Sequence, residues 1–315
     1  MGKVVGLTVS NVGILLVLVA VGYFLRASKK LPDNAGKMLS MLSATVFCPA
    51  YTLRNMWQNF TMDRIRENGL IVLYGVLFTL IVIGLGLLLA RIFGKPGLER
   101  RSLSYAFAIP NYGYFGYPVV AGVFGEALKA EMVIFCLPLS IATNSYGYLL
   151  FTPNGKLTWK RFFNPLLLSS LIGMILGIAG VPIPEKSFFD SLLSMAGNCM
   201  SPVAMLLAGF VLGSFPIGKL LSSFKAYWLS AIRLIGIPAL ICAGLLLCGA
   251  EGKWLLLPTV VFAMPLGLNL VVYPESQGLD SGDNARMCCV SYVLAIVILP
   301  LVFAAVKFLC PGIVA

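Results

Sequence analysis

The chain has 315 residues, 59% of them hydrophobic and only 11% charged, with a formal net charge of +11 and no histidine. A soluble domain, in which about a quarter of residues are charged, cannot hide that much apolar surface. The missing imidazoles exclude histidine zinc sites, Ser-His-Asp triads and histidine proton relays. The positive balance reads as membrane topology and not as nucleic-acid binding, because Lys and Arg gather in short segments between apolar runs.

Ten such runs approach the roughly 20 residues a helix needs to cross a bilayer. They lie at 4–25, 35–57, 70–92, 103–124, 132–151, 165–181, 188–213, 224–248, 254–275 and 286–309. They predict an all-α integral membrane protein with ten transmembrane helices, a single membrane domain over 1–315. The first run is too long for the apolar core of a signal peptide, and its basic cluster, Arg26, Lys29 and Lys30, follows it. That places the N-terminus outside. With alternating sides, fourteen Lys and Arg fall in inside loops, among them Arg91, Lys95, Arg100, Arg101, Lys156, Lys160 and Arg161, against eight outside. Both termini are therefore expected outside. The eight cysteines form no CxxC pair and read as small buried hydrophobes.

Proline interrupts the second run at Pro49. The fourth run carries the densest set of helix breakers, Ala108-Ile109-Pro110-Asn111-Tyr112-Gly113-Tyr114-Phe115-Gly116-Tyr117-Pro118. Pro, Asn and Gly are all poor in helix interiors, so this run is expected to unwind at mid-depth. The fifth run holds a polar patch at Thr143, Asn144 and Ser145, which faces either a cavity or a neighbouring helix. Pro202 interrupts the seventh run. Arg233 stands in the middle of the eighth. A charge there is costly in a bilayer, and two readings stay open: it attracts an anion, or it is structural, compensating helix-end carbonyls or snorkelling. The ninth run breaks again at Pro265, Gly267 and Asn269. Glu275, Asp280 and Asp283 follow, either solvated or forming a cation-attracting vestibule.

The breakers repeat. Pro202 follows Pro49 by 153 residues and Pro265 follows Pro110 by 155. A repeat of five spans is odd in number, so its second copy enters the membrane from the opposite side. The expected organisation is a 5+5 inverted repeat, 1–155 and 156–315. Each break frees backbone N–H and C=O groups and starts a half-helix with a positive end. Unwound backbone at this depth is tolerated where it lines a cavity. Pro110, Asn111, Tyr112, Gly113, Gly116, Asn144, Pro265, Gly267 and Asn269 are therefore the candidate substrate site, with Pro49, Pro118 and Pro202 as hinge or scaffold prolines. Two helix N-termini at one site favour an anion such as a carboxylate.

The motif Asn111-x-Gly113-x-x-Gly116-x-Pro118 resembles that of the auxin efflux carrier family, whose bacterial members include malate- and malonate-permease-like proteins. Gly22-Tyr23-Phe24-Leu25, Leu39-Ser40 and Pro49-Ala50 resemble the family's first hairpin. Ser201-Pro202-Val203-Ala204-Met205-Leu206-Leu207 with Gly209 resembles its seventh span, and Pro265, Asn269, Ser291 and Leu299-Pro300 its last two. The resemblance implies the sodium/proton antiporter and bile-acid symporter-like fold, with crossing broken helices 4 and 9. It also implies a scaffold of spans 1, 2, 6 and 7, a moving unit of spans 3–5 and 8–10, a bacterial inner-membrane location and a homodimer through the scaffold.

The function expected is transport of small organic anions, such as malate, malonate or auxin-like acids, by elevator-like alternating access. The alternative is a sodium-coupled symporter of the bile-acid type. No cofactor or metal is expected. With no carboxylate at the centre of a span, a coupling H+ lacks its usual carrier; Na+ held by amides and backbone carbonyls, H+, and uncoupled transport stay open. An enzyme is not expected: HExxH, GxSxG and GxGD are absent, and Asp280-Ser281-Gly282-Asp283 only superficially resembles the last.

Overall fold

The computed structural model describes residues 2–152 and 165–310, and among these it is all helix apart from one isolated β-bridge. Lys156, Lys160 and Arg161, expected in an inside loop, and the 155/156 repeat boundary lie outside the described residues.

α1 (Gly2–Ala27) is one apolar helix. α2 (Ala35–Leu42) and α3 (Cys48–Asn59) are joined by a π-turn at Ser43–Phe47. Pro49 stands in the first turn of α3. α4 (Met62–Phe93) starts eight residues before the apolar run. Thr61 caps it by accepting from the Arg64 N–H at 3.4 Å, and Asp63 sits at its positive end. The fourth run is broken into α5 (Leu98–Ala108), an extended stretch, a π-turn at Tyr112–Gly116 and α6 (Tyr117–Phe124). The fifth is α7 (Glu126–Phe135), α8 (Leu137–Ala142) and a π-turn at Thr143–Gly147.

After residue 164 comes α9 (Pro165–Ile178). α10 (Phe188–Asn198) and α11 (Met200–Leu212) make one long rod with a turn at Cys199. The short α12 (Ile217–Leu221) precedes α13 (Phe224–Ala231), which runs through a π-turn at Ile232–Gly236 into α14 (Ile237–Leu247). The ninth run is broken into α15 (Lys253–Ala263) and α16 (Asn269–Ser276), and α17 (Gly282–Leu309) closes the chain. Five of these rods are long and apolar enough to cross a membrane: Gly2–Ala27, Gly69–Phe93, Phe188–Leu212, Phe224–Leu247 and Gly282–Leu309.

Two packing groups emerge. α1 lies along α11, and α3 packs on α9 and α10. Here glycines bring backbones together: a Cβ on Gly22 would strike the Leu206 carbonyl, and one on Gly209 the Val19 carbonyl. Small residues serve this purpose in bilayers, where lipid gives no hydrophobic drive between helices. The second group joins α4 to α5, α7 and α8, and α17 to α13, α15 and α16. α1 also touches α6 and α17, bridging the groups.

The outer surface is apolar. On α4, Leu70, Leu73, Leu77 and Leu80 form an exposed stripe, while Ile71, Phe78 and Val82 are buried on the opposite side. That is the pattern of a helix facing lipid on one side and protein on the other. All eight cysteines are unpaired, and five are buried.

Candidate functional site

The first break begins where Pro110 withholds an N–H from the helix. Ile109 is extended, with φ −113° and ψ 106°. Pro110 pairs with Leu266 in an antiparallel bridge, and the Asn111 N–H donates to the Pro265 carbonyl at 2.8 Å. The two broken segments thus satisfy each other's backbone where both are buried in the protein. The Asn111 carbonyl then accepts from the Gly116 N–H at 2.9 Å, opening a π-turn. Because that bond spans five residues and not four, the N–H groups of residues 112–115 all precede the first bonded one. The turn leaves one more free donor than an α-helix start would.

The second break is held from outside by α17. The Leu266 N–H donates to Ser291 Oγ at 3.2 Å. Asn284 Nδ2 donates to the Leu270 carbonyl at 2.9 Å, and Cys288 Sγ lies 3.8 Å from the Gly267 carbonyl.

Hydroxyls cap three helices, Thr61 for α4, Ser187 for α10 and Ser223 for α13, while α5, α15 and α17 start without a side-chain cap. The two that begin at the breaks have no side-chain cap. Asn111 occupies a cap position, yet its side chain turns away and donates to Tyr292 Oη at 3.1 Å. Tyr292 in turn stacks flat on Phe115, with centroids 6.0 Å apart. Asn269 donates to Tyr273 Oη at 3.1 Å, and that hydroxyl donates to Asn144 Oδ1 at 3.4 Å.

These groups surround a cavity of about 130 Å³. Pro110, Asn111, Tyr112, Gly113, Asn144, Gly267 and Asn269 of the sequence candidates line it. Its other wall comes from the first packing group, through Tyr51 and Met56 of α3, Ser170 of α9 and Met200 of α11. Every lining residue is uncharged. No cluster suited to a metal ion occurs among the described residues.

The remaining candidates sit elsewhere. The Pro265 carbonyl is spent on Asn111, and Gly116 is packed against Met132 and Met264. Pro118 stands in the first turn of α6 and Pro202 within α11. Arg233 is not in the cavity wall. It lies in the π-turn of the eighth run, fully buried, and its Nη1 donates to the carbonyl of Phe262 in the last turn of α15. Its Nε and Nη2 have no hydrogen-bond partner among the described residues.

The acidic cluster is solvent-facing at Asp280 and Asp283: Asp280 accepts from the Gly282 N–H at 2.9 Å and Asp283 pairs with Arg286 at 2.8 Å. Glu275 accepts from Ser281 Oγ at 2.8 Å.

Sequence reasoning missed Tyr105, Tyr273 and Tyr292. Tyr105 lines the cavity, while Tyr273 and Tyr292 hold the two asparagines. Only Tyr273 had a readable signal, one helical turn after Asn269 and so on the same face.

An all-helical chain with several lipid-length apolar rods, and an uncharged cavity at two paired backbone breaks, is a multi-pass membrane transport protein. A family profile described as membrane transport protein matches residues 8–158 and 154–303, and the chain belongs to that family, the auxin efflux carriers. An uncharacterized transporter of Methanothermobacter thermautotrophicus is 24% identical over 91% of this chain and 94% of its own length. An uncharacterized transporter of Methanocaldococcus jannaschii is 26% identical over 72% of this chain and 75% of its own.

Proposed function

We propose that the protein carries small organic anions, carboxylates in particular, across a bacterial inner membrane by alternating access around the paired breaks. In this reading ten spans form a 5+5 inverted repeat, with helices 4 and 9 crossing at the Pro110–Leu266 bridge. The observation that carries it is the pair of uncapped helix N-termini at one uncharged cavity. Free N–H groups and the positive dipole ends attract a carboxylate. Asn111 and Asn269 stand at those two ends, and both line the cavity.

The cavity is walled by both packing groups. Sliding one group past the other would therefore expose it to each side in turn, the geometry expected of an elevator. Substrate uptake into proteoliposomes, run over carboxylates, neutral amides and cations, tests the proposal. Saturable uptake of a carboxylate that excess amide inhibits only weakly is expected. Uptake of cations or neutral solutes alone would refute it. Repeating the assay with choline in place of Na+ separates this reading from a sodium-coupled symporter, which would stop without sodium.

A further inference from the structure

Four helix ends meet within about a turn of the Pro110–Leu266 bridge. α5 ends at Ala108 and α15 at Ala263; the π-turn leading into α6 begins at Tyr112 and α16 at Asn269. Each end carries about half an elementary charge, negative where a helix stops and positive where one starts. By themselves the four cancel.

Arg233 upsets that balance. A guanidinium is permanently charged, and this one is wholly buried, with one hydrogen bond, to the carbonyl of Phe262 in the last turn of α15. Its Nε and Nη2 are unpartnered, and none of the ion pairs among the described residues includes it. Its charge therefore goes to the C-terminal ends. The N-terminal ends are left with about one unit of positive charge, next to a cavity lined by no Asp, Glu, Lys or Arg.

The geometry points to Arg233 as the resident counter-charge of the crossover, which sets the site for a substrate of one negative charge: a compact monocarboxylate in preference to a dicarboxylate. The inference rests on the anion-carrier reading above and adds the charge and size of the substrate. A cavity of about 130 Å³ compares with the roughly 150 Å³ that holds a benzene molecule. A second carboxylate within it would be desolvated with no cation to meet it. Arg233 is a positioning residue here, acting through α15 and not by touching the substrate.

The test is uptake by the full-length carrier in proteoliposomes at neutral pH, where both carboxyls of succinate are ionised. Butyrate, butyramide and succinate are compared in the wild type, Arg233→Lys, Arg233→Gln, Asn111→Ala and Asn269→Ala. Butyrate is expected to bind about tenfold better than succinate in the wild type. Arg233→Gln is expected to raise the KM for butyrate about tenfold while weak competition by butyramide stays constant. Arg233→Lys, which keeps the charge, is expected to recover most of that loss.

Succinate matching or exceeding butyrate in the wild type overturns the inference. So does an Arg233→Gln variant that loses butyrate and butyramide in equal proportion. If succinate wins but Asn111→Ala or Asn269→Ala abolishes its uptake, the crossover site stands and only the charge assignment falls. If the wild type takes up neither acid, both readings fall.

Discussion

The two breaks solve one problem in different ways. The first, at residues 109–111, opens into a π-turn that widens the helix start, and its Asn111 side chain reaches out to Tyr292 of α17. The second, at residues 264–268, has no π-turn and is tied by its neighbour α17 through Ser291, Asn284 and Cys288. Asn111 is therefore both a structural anchor and a cavity residue. Asn269, only partly buried, bonds Tyr273 on its own helix and Tyr105 of α5, both beside the cavity.

That difference has measurable consequences. Asn111→Ala is expected to have the largest effect. It strips a buried hydroxyl of its donor and should lower stability by about 1–2 kcal/mol, together with loss of carboxylate uptake. Thermal unfolding in detergent, read beside proteoliposome uptake, checks both. Ser291→Ala leaves the Leu266 N–H unpaired at the second break, with an expected cost of about 1 kcal/mol and a smaller fall in uptake. Asn269→Ala should cost under about 0.6 kcal/mol, since the site is partly open and the Tyr273 hydroxyl keeps Asn144 as a partner, yet impair uptake as severely as Asn111→Ala. Equal destabilisation by the two asparagine variants would erase the contrast between the breaks.

Gly113→Ala is expected to be nearly silent in stability, because a Cβ there meets only Tyr117 Cε2 at 3.9 Å. The smallest effect lies away from both breaks, at the start of α5. A hydrogen bond from Lys225 holds the Glu99 carboxyl below the usual carboxylate range. A lowered folded pKa means the pair's contribution is complete above the unfolded value and lost as pH falls through the folded one. Glu99→Gln should remove that slight acid sensitivity from the unfolding midpoint, measured between neutral and acid pH.

Much of this was legible in the sequence because breakers are rare in apolar runs. Pro110, Asn111, Gly267 and Asn269 announced the breaks, and Arg233 announced itself as a lone charge. Helix positions broadly followed hydropathy, but α4, α5 and α7 begin before their apolar runs and the short α12 lies outside every run. The tyrosines were not legible, because an aromatic inside an apolar helix looks the same whether it packs or holds an asparagine. The direction of the Asn111 side chain was equally hidden: a cap and a long-range donor have one spelling, and only the position of Tyr292, 181 residues away, decides between them.

The π-turns were invisible for a further reason, and they bear on how this chain is compared with its relatives. Each of the four among the described residues, at Ser43–Phe47, Tyr112–Gly116, Thr143–Gly147 and Ile232–Gly236, holds one residue more than an α-turn. One extra residue rotates everything downstream by about 100° around the helix axis. Hydrophobic phase measured along the second, fourth, fifth or eighth rod therefore slips at that point. A relative lacking the turn would align only with a one-residue gap in the middle of an apolar helix. Such gaps at these four places would mark inserted turns, and a single-residue deletion there would swing the far half of the rod onto the wrong face.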